Sequence, residues 1–180
     1  MDRLYAPWRI EWIRREERNA EVDGCVFCAL PAEGTDRTNR LVARSEHAFV
    51  LLNNYPYNPG HAMVIPYEHT GEYRDLTDEV LLDHARLKAR TFEALEAAFE
   101  PDGFNAGLNL GEGSGGSIAG HLHTHVVPRW AGDTNFMPVV GDAKVIVEAV
   151  DDTYDALRSA FTAQEGTTTE DEDAAVLVDS

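Results

Sequence analysis

Asn109-Leu-Gly-Glu-Gly-Ser-Gly-Gly-Ser-Ile-Ala-Gly-His-Leu-His-Thr-His-Val-Val-Pro-Arg-Trp130 is the most informative run in the chain. Its second half alternates. In an extended backbone His121, His123 and His125 point to one face and Leu122, Thr124 and Val126 to the other, with about 6–7 Å between alternate positions. Residues 121–128 therefore read as a strand. Just ahead lies a glycine loop, Gly111-Glu-Gly-Ser-Gly-Gly116, and glycines let backbone N–H groups approach and cradle a phosphate. A neutral imidazole attacks phosphorus and forms a phosphoramidate that a second acceptor can break. Neighbouring imidazoles can fix its tautomer and bind phosphate oxygens, and stabilising the spread charge of the transferring group is the larger part of such catalysis. Three histidines on one face also suit a metal such as zinc. The histidines alone leave both chemistries open, and the glycine loop favours phosphate.

Outward from this run, residues 41–44 and 48–53 read as short strands around Ser45-Glu-His47, and residues 61–66 as a third. Between them Asn54-Tyr-Pro-Tyr-Asn-Pro-Gly60 is a rigid connection, because two prolines fix φ. Residues 78–99 read as a helix with Leu81, Ala85, Phe92, Leu95 and Phe99 on one stripe. Thr77 caps it, and Pro101 and Gly103 end it. Residues 104–110 and 121–128 supply two more strands, and 144–162 a C-terminal helix. The pattern predicts an α+β fold: an antiparallel five-stranded sheet, a long helix before the last two strands, and a C-terminal helix. Residues 1–24, with Trp8 and Trp12, form an N-terminal arm, residues 25–163 the domain, and residues 164–180 an acidic, disordered tail. His47 and His84 read as surface residues.

The chain has 180 residues and is 43% hydrophobic, enough for one core. No apolar run approaches the roughly 20 residues that span a bilayer, and residues 1–18 lack the pattern of a secretory signal. A soluble, cytoplasmic protein is expected. The formal net charge of -17 argues against nucleic-acid polymers as partners. That acidity fits either a high-salt cytoplasm, where screening quenches self-repulsion, or an ordinary acidic protein.

His121-Leu-His-Thr-His-Val-Val127 resembles the histidine triad signature, and Phe49-Val-Leu-Leu-Asn53, Asn58-Pro-Gly-His61 and Val64-Ile-Pro66 resemble that family's first nucleotide-binding segments. The resemblance covers residues 25–140. It implies that His123 is the nucleophile on an α-phosphate, with His121 and His125 flanking it and His61 supporting the triad. It likewise implies that Asn53 meets the ribose hydroxyls, and that Asn109, Gly116 and Ser117 contact phosphate. Leu4-Tyr-Ala-Pro-Trp-Arg9, Tyr55-Pro-Tyr-Asn-Pro-Gly60, and Pro128-Arg-Trp130 with Gly132-Asp-Thr-Asn-Phe136 are similar to the family's dinucleoside tetraphosphate phosphorylase branch. There inorganic phosphate breaks the nucleotidyl-histidine, and Trp130 matches an aromatic of the substrate site. Water as acceptor, a nucleoside phosphoramidase, a regulatory nucleotide binder with little turnover, and a metal protein using the three-histidine strand remain alternatives. The family pairs sheets edge to edge, so a homodimer or higher homo-oligomer is expected.

The two cysteines, Cys25 and Cys28, sit in Cys-Val-Phe-Cys. Some histidine triad relatives hold zinc on such a pair, a histidine after the third strand and the first triad histidine, which matches His69 and His121 here. A structural zinc is expected on this resemblance, with no cofactor needed for the chemistry. Buried free thiols or a redox pair are the other readings.

Overall fold

The structure, a computed structural model, describes residues 24–114, 116, 118–133 and 150–179. Two four-residue helices, α1 (Val26–Ala29) and α2 (Asp36–Asn39), lead into β1 (Leu41–Arg44), β2 (Ala48–Leu52) and β3 (Ala62–Pro66). The 22-residue helix α3 (Asp78–Phe99) follows, then β4 (Gly103–Leu108) and β5 (Thr124–Arg129). Helix α4 (Val150–Thr162) precedes two short strands, β6 (Thr167–Thr168) and β7 (Val176–Val178). The arm expected over residues 1–24 lies, except for Gly24, outside the described residues, as do residues 144–149.

The sheet order is β4-β5-β3-β2-β1-β7-β6. The α+β class holds, and the five strands β4-β5-β3-β2-β1 pair antiparallel. The sheet nevertheless has seven strands and is mixed, because β7 runs parallel to β1. This corrects both the five-stranded antiparallel sheet and the disordered tail. Ala175, Val176 and Val178 are buried against the sheet while Glu170, Asp171, Glu172 and Asp173 stay exposed. Arg158 donates to the carbonyls of Ala174 and Asp171, and Arg37 N–H to that of Asp173, which fixes the returning segment. Burial of a short apolar run thus outweighs the polar average of its surroundings.

Helix α3 matches the expected span. Thr77 Oγ1 accepts from Val80 N–H at 3.4 Å, Asp78 and Glu79 occupy the first turn, and Glu100 turns left-handed (φ 46°) before Pro101. Its buried face differs from the apolar stripe. Val80, Asp83, His84, Leu87, Thr91, Ala94 and Leu95 face inward, whereas Ala85 is exposed. Two of the polar members are satisfied: Asp83 accepts from Ser45 Oγ (2.6 Å) and His47 N–H (3.0 Å), and Thr91 donates to the Leu87 carbonyl. His84 is therefore a core residue rather than a surface one.

Helices α3 and α4 cover one face of the sheet, where Leu87 and Leu95 of α3 and Tyr154, Leu157 and Phe161 of α4 share a core with Val50 and Val64. The opposite face carries Phe27, Phe49, Leu51, Met63 and Ile65. Strands β2 and β3 are buried at every residue. Among the described residues no helix is long and apolar enough to cross a membrane.

Candidate active site

Strand β5 begins at Thr124, so His121 and His123 lie ahead of the strand expected over residues 121–128. The alternation survives. Leu122 packs with Leu76 and Val80, and Val126 joins the core under the helices. His121 and His123 turn the other way, against Phe27, at ring centroid distances of 5.6 and 5.1 Å. Ahead of the ladder the imidazoles bond to main-chain carbonyls. His121 Nε2 donates to the Pro66 carbonyl at 2.8 Å, and His123 Nδ1 donates to the His121 carbonyl at 2.9 Å.

That second bond sets the chemistry of His123. A carbonyl only accepts, so Nδ1 carries the proton and Nε2 presents a lone pair. Among the described residues nothing hydrogen-bonds this Nε2. His123 is 5% exposed, and burial pushes its pKa below the ordinary histidine value, against the opposing pull of the His121 carbonyl. The ring is neutral at pH 7 and armed on Nε2.

A relay fixes the neighbouring ring. Tyr57 N–H donates to His61 Nδ1 at 3.1 Å, so His61 carries its proton on Nε2, which lies 3.0 Å from His125 Nδ1. His125 then holds its own proton on Nε2, 3.3 Å from the Asn109 amide. Amide O and N exchange by a half-turn, and a protonated Nε2 calls for the oxygen on that side. The rings of His123 and His125 meet edge-on at 5.0 Å, and Tyr57 stacks on His61 at 4.9 Å. A lone pair on one imidazole thus stands beside an N–H donor on the next.

Two glycines hold these pieces in place. Gly60 has φ +76°, and a Cβ there would lie 3.1 Å from Leu95 and Pro128 side chains. Gly116 sits on Asn109, where a Cβ would come within 3.0 Å of the Asn109 Cβ. Asp133 accepts from Arg129, Asn58 and Trp130 N–H, which ties the Asn58–Gly60 turn to the end of β5, and chiefly the Arg129 bond holds its carboxyl below the usual carboxylate range.

The expected residues fall into three groups. His61, His123, His125, Asn109 and Gly116 come together. His121 turns away toward the cysteines. Asn53 flanks the first group: its N–H donates to the His61 carbonyl (3.0 Å), its Oδ1 accepts from Tyr55 N–H (2.8 Å), and Nδ2 lies 3.7 Å from Met63 Sδ, opposite His125 in register. Trp130 is half-buried at the end of β5. Ser117 lies outside the described residues, as do Leu4–Arg9 and Phe136. Phe27 and Tyr57, both packed on the histidines, were not expected; each stands inside a motif read for other residues.

Cys25, Cys28, His69 and His121 form a separate cluster whose ligand atoms all lie within 4.8 Å of one another. His121 Nδ1 is 3.3 Å from Cys25 Sγ and 3.6 Å from Cys28 Sγ, and His69 Nδ1 is 3.2 Å from Cys28 Sγ. Tetrahedral zinc with ordinary bond lengths has an N-to-S edge of about 3.6 Å. His121 donates Nε2–H to the Pro66 carbonyl, which fixes the tautomer and leaves its Nδ1 lone pair facing the sulfurs. The donor set fits a thiophilic divalent cation.

A family model described as HIT domain matches residues 35–132. AP-4-A phosphorylase from Mycobacterium tuberculosis is 40% identical over 172 residues, covering 91% of this chain and 86% of that protein. Bis(5'-adenosyl)-triphosphatase from Dictyostelium discoideum is 30% identical over 93 residues, 52% of this chain and 62% of that one. Among solved structures, a zinc-bound histidine triad family protein from Mycobacterium smegmatis superposes with a TM-score of 0.63 at 26% identity, covering 77% of this chain and 94% of that one.

Proposed function

Because this chain belongs to the HIT family, we propose that it cleaves dinucleoside polyphosphates by nucleotidyl transfer through His123. The observation that carries the reading is the pairing of a neutral His123, proton on Nδ1 and lone pair on Nε2, with the N–H donor of His125. Nε2 attacks the α-phosphorus, the N–P bond forms as the P–O bond to the polyphosphate chain breaks, and the released nucleotide leaves with that oxygen. His125 Nε2–H stabilises charge on the phosphoryl oxygens, where most of the barrier is lowered. An acceptor oxygen then attacks phosphorus, breaks the N–P bond and restores the imidazole.

Inorganic phosphate is the acceptor on this reading, so that diadenosine tetraphosphate yields ATP and ADP. The phosphorylase relative, similar over 91% of the chain, supports it. Water is the second reading, supported by the triphosphatase relative. Incubation with diadenosine tetraphosphate, with and without phosphate, separates them. Brief reaction with labelled substrate should leave an acid-labile nucleotide on His123, and His123→Ala should abolish it while keeping binding. Persistence of the adduct in that variant sinks the proposal.

Zinc is assigned to Cys25, Cys28, His69 and His121. Bound there it supplies structure and no chemistry: it pins the α1 turn, with Phe27, to the segment before β5. The zinc-bound M. smegmatis neighbour and the ligand geometry support this. His121 then serves as a ligand, and its main-chain carbonyl orients His123. Asn53, Ser117 and Trp130 are assigned to the nucleotide by the resemblance of their motifs. Edge strand β4, with Asn105, Ala106 and Gly107 exposed, is the surface assigned to pairing with a second copy. A cysteine pair that holds zinc instead of forming a disulfide accords with a cytoplasmic location. The acidic surface accords with a salt-rich medium, and full stability in dilute buffer would argue against that.

A further inference from the structure

On the sheet face away from the nucleophile, α3 drives one imidazole between two strands. His84 is 2% exposed. Its Nε2 lies 3.2 Å from the Val64 carbonyl oxygen and 3.2 Å from Thr124 Oγ1. The carbonyl only accepts, so Nε2 carries a proton, and the Thr124 hydroxyl shares that proton as a second acceptor. Burial holds the ring below the ordinary histidine pKa, with Lys88 acting in the same direction and Asp83 and the Val64 bond against it. Nδ1 is then a bare lone pair, buried and without a partner among the described residues. Leucine would fill this place without that desolvation penalty.

The two acceptors explain why a histidine stands there. Val64 and Thr124 are the last register pair of β3 and β5. Past this pair the strands part, and the next outward carbonyl of β3, that of Pro66, goes to His121 instead of to the ladder. Thr124 is the residue between His123 and His125. The proton of His84 therefore bridges both arms of the fork from which the two working histidines project, one on each side.

We propose that His84 is a positioning residue for the triad: the single shared proton on its Nε2 fixes the fork between β3 and β5 and, through Thr124, the aim of His123 and His125. Its catalytic readout rests on the proposed role of His123. His84→Leu keeps the volume and removes the donor; His84→Gln keeps an N–H donor. With diadenosine tetraphosphate and phosphate, the leucine variant should lose at least tenfold in kcat while KM changes less than threefold, and glutamine should recover most of the loss. The leucine variant loses the donor to Val64 and Thr124 but also the unsatisfied Nδ1, and these effects offset, so its melting temperature should change little, and a slower enzyme of near-native stability marks positioning. A leucine variant with wild-type kcat overturns the proposal, as does one in which kcat and melting temperature fall together and glutamine restores neither. If the leucine variant does not fold, imidazole nitrogen NMR on the wild-type protein decides: His84 must show a protonated Nε2 and bare Nδ1 at pH 7, and the reverse tautomer or a doubly protonated ring refutes it. Turnover by His123→Ala would instead defeat the function reading and leave the NMR result standing.

Discussion

Alanine at Gly60 should be among the most damaging small substitutions near the site, and the reason separates into two parts. The residue has φ +76°, a conformation that costs an L-residue about 1–2 kcal/mol. The added Cβ would also lie 3.1 Å from Leu95 and from Pro128 and 3.2 Å from Phe99. Leu95 is fully buried and Pro128 is rigid within β5, so neither yields easily, and overpacking adds about 1–3 kcal/mol. Gly34 is the internal control, with φ +67° and nothing within 4 Å of its Cβ position. Both substitutions alter the unfolded chain alike, so Gly60→Ala should lose about 1–3 kcal/mol more than Gly34→Ala. Urea unfolding followed by tryptophan fluorescence measures the difference. Gly60→Ala should also slow turnover, because the residue immediately precedes His61, while Gly34→Ala should not. A difference below about 0.5 kcal/mol would refute the packing argument.

Protein purified without chelator should carry about one zinc per chain, and stripping it, or changing Cys28 to Ser, should lower the melting temperature; metal-free protein of full stability would sink the zinc assignment. Ending the chain at Gln164 removes β6 and β7 and re-exposes Ala175, Val176 and Val178 positions now filled, a loss of about 3–6 kcal/mol for the two valines alone; calorimetry showing no change would contradict the seven-stranded sheet. The depressed pKa of His84 means the unfolded chain binds its proton first, so stability is complete above about pH 6.5 and falls as pH drops below it, by up to about 1.4 kcal/mol per pH unit until the folded-state value is reached. His84→Leu should flatten that acid slope, which thermal melts between pH 7.5 and 5 would register.

Legibility in the sequence followed the strength of local signals. Helix α3 was readable end to end because Thr77 caps it and Pro101 follows its last turn, but its buried face was not. Hydropathy places Leu81 and Ala85 inward, whereas the structure buries Asp83, His84 and Thr91, whose partners are distant in sequence or along the helix axis. The triad alternation was readable from spacing alone. Its division of labour was not, because only the fold brings His69 and the two cysteines to His121. Residues 174–178 were hidden for a different reason: a run of Ala, Ala, Val, Leu and Val is too short to stand out beside four consecutive acids. Asn53 was picked out by its motif alone, and the structure adds the local turn in which its oxygen accepts from Tyr55 N–H.

The parallel join of Ala43 with Val176 has a consequence for how the polypeptide matures. During synthesis β1 emerges early, yet its flank stays bare until residue 178 has left the ribosome. Contacts so distant along the chain close slowly, and an unsheltered strand margin invites association with other nascent chains. Nearly the whole catalytic half can be assembled while the molecule is still adhesive on one side. Completion of the β1–β7 seam is thus the step that should end this adhesiveness.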